Sequence, residues 1–118
     1  MLLKTALALA PSFAASTTLY VASYSGLVST LDLALSDDGT ASLSAVAESD
    51  ACAGSPSWLE LAEDGLIYCS DEGISSTKGS VAALKRGDDG LERVGKIDTE
   101  QGPVSSVRFG ENGLIVAQ

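Results

Sequence analysis

From Thr17 onward, the hydrophobic residues recur with a period of two. Leu27, Leu31, Leu33 and Leu35 alternate with Val28, Thr30, Asp32 and Ala34. Successive side chains leave a strand on opposite sides, so this pattern predicts strands with one face buried. Similar runs occupy residues 19–23, 42–47, 57–62, 66–70, 80–85, 91–97, 105–109 and 114–117. No stretch after Ala14 carries the 3.6-residue stripe of an amphipathic helix. Between the runs stand Asp38-Gly39, Asp64-Gly65, Asp89-Gly90 and Asn112-Gly113. Such pairs tolerate the positive φ angles of tight hairpins, so each predicts a turn.

The pattern repeats with a fixed step. Asp64-Gly65 and Asn112-Gly113 stand 48 residues apart, as do Leu59 and Val107, Leu61 and Phe109, Leu66 and Leu114, and Ile67 and Ile115. Leu19-Tyr20 precedes Ile67-Tyr68, Leu43 precedes Leu91 and Val46 precedes Val94 by the same 48. A unit of that length with four strands fits a β-propeller blade, whose repeats run to about 40–50 residues. An immunoglobulin-like sandwich would account for the turns but not for the constant step. The fold expected is therefore all-β. Strands two to four of one blade fall in residues 19–47, a complete blade in 57–97, and two strands of the next in 105–118. A propeller closes its ring with about four to eight blades. The expectation is that this is the front portion of a longer protein whose remaining blades lie outside the chain; a small protein that assembles into a ring is the alternative.

Residues 1–14 read as a secretory signal peptide. Lys4 is a thin positive region, Thr5 to Ala10 an apolar run ended by Pro11, and Ser12-Phe13-Ala14 has the small-x-small spacing of a cleavage site. Cleavage is expected after Ala14 or Ser16, giving a secreted, extracellular protein with its propeller portion over residues 17–118. No run is long enough to span a membrane. In an oxidising compartment the two cysteines, Cys52 and Cys69, are expected to form a disulfide. The Asp64-Gly65 hairpin sets Cys69 roughly opposite Glu60, so the loop before Pro56 must fold back for Cys52 to reach it.

Composition narrows the chemistry. Sixteen acidic residues against seven basic ones give a net charge of −9, which argues against a nucleic-acid partner or docking on anionic lipid. There is no histidine, so His-dependent triads and His metal sites are excluded within this chain. A CxxC pattern is absent too, and neither a metal nor a cofactor is expected.

Gly54-Ser55-Pro56-Ser57-Trp58-Leu59, Asp64-Gly65-Leu66-Ile67-Tyr68, Asp71-Glu72, Gly79-Ser80-Val81-Ala82-Ala83-Leu84 and Asp89-Gly90-Leu91 follow one another at blade spacing. This series resembles the lactonase family of seven-bladed propellers, which includes 6-phosphogluconolactonase-like proteins and fungal carboxy-cis,cis-muconate cyclase. Leu19-Tyr20-Val21-Ala22-Ser23-Tyr24 resembles the family's opening strand, and Gly102-Pro103 followed by Val107 the start of its next blade. The resemblance runs from about Thr18 to the end. It departs at Ser106, where many members have His, and at Ala117-Gln118, where they continue Ala-Asn-Tyr.

The resemblance implies a lactonase or cycloisomerase acting on a small acidic lactone, of sugar-acid or muconate type, with its chemistry in later blades and this portion inactive alone. A noncatalytic propeller that binds a ligand or protein through its loops is the alternative, since the fold hosts both. Lactone opening or closing needs a positioned acid or base and cations for the substrate's negative groups. The substrate-binding candidates are Asp71 and Glu72, a carboxylate pair just after the second strand of the complete blade, and Arg108, a basic residue on an inner strand. Each also has a plainer reading: a solvated acidic loop, and a cross-strand partner for a carboxylate. Trp58 and Tyr24 are further candidates for a pocket lining and a hydroxyl, with core packing and strand capping as their plainer roles.

Overall fold

The computed structural model describes residues 13–118. Over that range the chain forms β1 (Phe13–Ala22), β2 (Val28–Ser36), β3 (Ala41–Ser49), β4 (Pro56–Leu61), β5 (Ile67–Asp71), β6 (Gly79–Gly87), β7 (Gly90–Thr99), β8 (Ser105–Phe109) and β9 (Gly113–Ala117). The strands pair as successive antiparallel neighbours in three sheets: β1-β2-β3, β4-β5-β6-β7 and β8-β9. Every run of period two is a strand, and the three-four-two grouping is the one the 48-residue step predicts. The sheets are blades one, two and three below. The expected leader, residues 1–14, lies outside the described residues apart from Phe13 and Ala14, whose backbone opens β1.

The turns differ from expectation in their detail. Gly39 and Gly65 have φ of 84° and 85°, but no residue other than glycine has a positive φ among those described. A two-residue turn with both central residues left-handed is therefore absent there. Instead one loop design recurs. Gly39 N donates to Ser36 O and Ser36 N to Thr40 O, and Gly65 N to Ala62 O with Ala62 N to Leu66 O. The aspartates contribute acceptors: Asp38 Oδ1 takes the Thr40 amide and Asp64 Oδ1 the Leu66 amide, as Asx turns do. In the last hairpin the left-handed residue is Gly110, φ 58°, and Gly113 already pairs with Phe109 as the first residue of β9.

The repeat extends to irregularities. In β2–β3, Thr30 pairs with Ala47 and Leu31 with Ala45, which leaves Val46 as the extra residue of a bulge. In β6–β7, Ala83 pairs with Gly95 and Leu84 with Arg93, leaving Val94 in the same position. Val46 and Val94 are 48 residues apart. A bulge twists its strand more strongly, and both blades twist their outermost described strand at the same place.

The core lies between blades one and two. Val28 from blade one meets Cys52, Ile67, Cys69, Ala82, Leu84 and Leu91, all buried, with Tyr20, Ala51 and Leu59 packed around them. Ile67, Cys69, Leu84 and Ala82 face the same way because Ile67 pairs with Leu84 and Cys69 with Ala82. Cys52 and Cys69 are joined by a disulfide, their Cα atoms 5.8 Å apart. Cys69 pairs with Leu59 rather than Glu60, and the loop before Pro56 doubles back over the face of β5 to bring Cys52 in. Arg93 fixes that loop by donating to the carbonyls of Ala51, at 2.6 Å, and Cys52, at 3.1 Å.

Candidate functional site

In a propeller the innermost strands line the channel, and the loops at one end of them form its mouth. In this chain the innermost strands are β4 and β8. The mouth is built by the segments before them (residues 50–55 and 100–104) and by the loops after β1 and β5.

Glu72 is the knot of that surface. Its amide donates to Ser55 O, and its carbonyl accepts from Gly102 N, each at 3.0 Å, so one residue ties the loop after β5 to the lead-in segments of both inner strands. Its side chain accepts the Tyr24 hydroxyl at 2.7 Å. Tyr24 sits in the loop after β1, so the bond spans blades one and two. The adjacent carboxylate holds the Tyr24 phenol above its ordinary pKa of 10.0, first through the hydrogen bond, then through partial desolvation and the negative charge. The pair is a phenol and a carboxylate joined directly at the mouth; what it offers a substrate hydroxyl or a water is the acceptor capacity left on the Glu72 carboxylate and the Tyr24 oxygen.

Asp71 does different work. It is 6% exposed. One carboxylate oxygen takes the amides of Ser55 at 2.8 Å and Gly73 at 3.2 Å, and the other takes the Ser80 hydroxyl at 3.2 Å. A carboxylate with three internal donors in a buried place holds the loop geometry rather than a ligand. Gly73, φ 68°, makes the turn below it, where an added Cβ would collide with Lys78. Gln101 completes the loop, donating to the carbonyls of Gly73 and Ser76.

Arg108 is elsewhere. Its guanidinium lies 5.5 Å from the centre of the Tyr68 ring and donates to Glu111 O, while its amide donates to Glu60 Oε1 at 3.4 Å. Tyr68 precedes Asp71 by three residues of β5, about 10 Å along a strand. The structure therefore brings Glu72 together with Tyr24 and sets Arg108 toward the far end of the sheet. Trp58 is 41% exposed and donates its indole Nε1–H to Ser106 O at 3.0 Å. Its ring spans the joint between blades two and three.

Sequence reasoning missed the joints as a class. Tyr24–Glu72, Trp58–Ser106 and Glu60–Arg108 each link positions 48 apart. The repeat arithmetic held that signal, since stacking blades brings equivalent positions face to face. The equivalence of positions 48 apart does not extend to burial in blade three. Ile67 is 3% exposed, whereas its equivalent Ile115 is 55% exposed, and it is Ser106, at 6%, that is buried.

Among the described residues, no group of three His, Cys, Asp or Glu side chains is placed to hold a metal, and no helix is long and apolar enough to cross a membrane.

Face-stacked, four-stranded antiparallel blades related by a constant step define a β-propeller. The sequence matches the family described as Lactonase, 7-bladed beta-propeller, over residues 18–118. The chain belongs to that family, and the match covers the whole repeat region. No curated protein and no solved structure matches the chain significantly.

Proposed function

We propose that residues 17–118 are the opening blades of a secreted propeller that opens or closes a small acidic lactone, of sugar-acid or muconate type. The observation that carries this reading is the family match, which follows the blade repeat from residue 18 to residue 118. Opening a lactone requires a base or activated water at the carbonyl and donors for the developing oxyanion. In a ring of seven blades such groups converge on the channel from several inner strands. Of the residues here, Glu72 and Tyr24 stand at the mouth and are the pair best placed to contact a substrate hydroxyl. Asp71 supports them by fixing the loop. The leader expected over residues 1–14 directs export.

The test is hydrolysis of a phosphogluconolactone and cyclisation of a carboxymuconate, with the 118-residue chain and a seven-bladed family member assayed side by side. The seven-bladed protein is expected to turn over at least one substrate and the 118-residue chain neither, because one complete blade and two partial ones enclose no channel and leave its groups screened by water. Turnover by a monodisperse monomer of the 118-residue chain would overturn the assignment of chemistry to a complete ring.

A further inference from the structure

The β6–β7 hairpin does not lie flat on blade one. Gly90 approaches Ala47 so closely that an added Cβ would stand 3.2 Å from the alanine methyl. Below that contact the two blades splay and leave a groove of about 440 Å³. Tyr20, Thr30 and Asp32 form its wall on blade one, and Arg86, Asp88 and Asp89 its wall on the hairpin. None of these residues is on β4 or β8.

A side-chain pair bridges the two walls of the groove. Arg86 donates from Nε at 3.0 Å and from Nη2 at 2.6 Å to the Tyr20 hydroxyl, and its guanidinium carbon lies 5.8 Å from the centre of the same ring. Two donors on one acceptor, with the ring beneath, immobilise a side chain that is otherwise rich in rotamers. The guanidinium has five N–H donors in all. Asp32 on the opposite wall is half-buried and accepts a long bond from Thr18, at 3.4 Å. The volume falls within the range of roughly 300–1,000 Å³ typical of small-molecule sites.

Charge and donor pattern select the ligand. Three carboxylates (Asp32, Asp88, Asp89) face one guanidinium, so the groove repels an anion. A cation answers the carboxylates but leaves the remaining N–H donors of Arg86 without an acceptor. A neutral polyol suits both kinds of lining group, because each hydroxyl donates to a carboxylate while accepting from a guanidinium or threonine hydroxyl. We propose that the groove between blade one and the β6–β7 hairpin is a binding site for a neutral saccharide, with Asp32 and Asp89 as acceptors and Arg86 as the donor.

The experiment is saturation-transfer NMR and calorimetry on the 118-residue chain. The probes are methyl glucoside, methyl mannoside, methyl galactoside, cellobiose, maltose and lactose, with spermidine and inorganic phosphate alongside. At least one saccharide is expected to bind and to shift the amides of Thr30, Asp32 and Asp89, while spermidine and phosphate do not. Asp32→Asn and Arg86→Gln should each weaken that binding at least tenfold. Asp89→Asn lies in an exposed turn where no strand pairing is at risk, so it keeps the test valid if either of the others fails to fold. Trp58→Phe, at the other joint, should leave binding unchanged. Failure of all six sugars to bind overturns the proposal. So does binding of spermidine or phosphate in their place, or saccharide affinity that is equal in wild type and Asp89→Asn.

Discussion

Tyr24 donates its phenolic hydrogen to the Glu72 carboxylate at 2.7 Å, and the two residues stand one full repeat apart. The bond couples the mouth loops of blades one and two. It also leaves a titratable trace, because the carboxylate raises the phenol's pKa above 10.0. A group whose pKa is raised on folding contributes its stability below the unfolded value and loses it as pH climbs through the folded one. The contact therefore persists through neutral pH and opens only above pH 10. In an ultraviolet titration of the three tyrosines, one should ionise above the ordinary value, and Glu72→Ala should bring it back. A Tyr24 midpoint unchanged by that substitution would show that the contact is absent in solution.

The β2–β3 turn gives the opposite sign. Hydrogen bonds from the Ser36 hydroxyl, then from the Thr40 hydroxyl and amide, hold Asp38 at about 2 against an ordinary 3.8. The turn should stay closed down to roughly that pH and loosen as the carboxylate protonates. Carbon-detected NMR of Asp38 checks the midpoint, and Ser36→Ala should move it upward. A midpoint near the ordinary value in the wild type is the contrary result.

The disulfide closes a segment of 17 residues. In the chain-entropy treatment, a loop of that size contributes about 3 kcal/mol. Replacing Cys52 and Cys69 together by alanine should lower unfolding stability by about that amount in urea, the lost packing adding to it because both sulfurs are buried. A loss below about 1 kcal/mol would mean that the unfolded chain already holds these residues near one another.

Trp58 is the chain's single tryptophan, which makes the joint between blades two and three directly observable. Trp58→Phe removes the Nε1–H donor and leaves Ser106 O without it, at a cost of about 1 kcal/mol. In the wild type, emission should shift to the red at low denaturant, before the backbone signal of blade two changes. Coincident transitions would show that the blades unfold as one unit.

Secretion is checked at the N-terminus. Protein recovered from culture medium should begin between Ala15 and Thr17. Cleavage after Ala14 leaves Ala15 paired with Leu35 in β1, so the first sheet keeps its register. Intracellular protein that retains Met1 is the outcome that contradicts export.

The strands were legible because half-burial imposes a period of two, and the blades because stacking imposes a constant step. The bulges were not legible: the 48-residue step relates Val46 to Val94, but only the registers show that both are extra residues. The site was much less legible. Asp71 and Glu72 are neighbours of like charge, and nothing in their order tells which one turns into the sheet to meet Ser55, Gly73 and Ser80. That depends on alternation at the last residue of β5 and on the left-handed turn at Gly73. Arg108 carries two readings in the sequence, a substrate contact and, more plainly, a cross-strand partner for a carboxylate; its amide meets Glu60, while its guanidinium goes to an aromatic ring and a carbonyl. Side-chain direction at a strand end is set by the neighbouring blade, which a single strand's pattern does not encode.

Across the joint between blades two and three, the side-chain donors of blade two reach main chain: Trp58 to Ser106 O and Ser57 to Pro103 O. Every residue type offers that carbonyl. The accepting position at that joint is thus free to change type while the donating position is not, so mutational tolerance across it is one-sided, unlike the joint between blades one and two, where Tyr24–Glu72 and Arg86–Tyr20 need both side chains. A seam built in the first way lets the accepting blade diversify without its neighbour having to co-evolve; a seam built in the second does not.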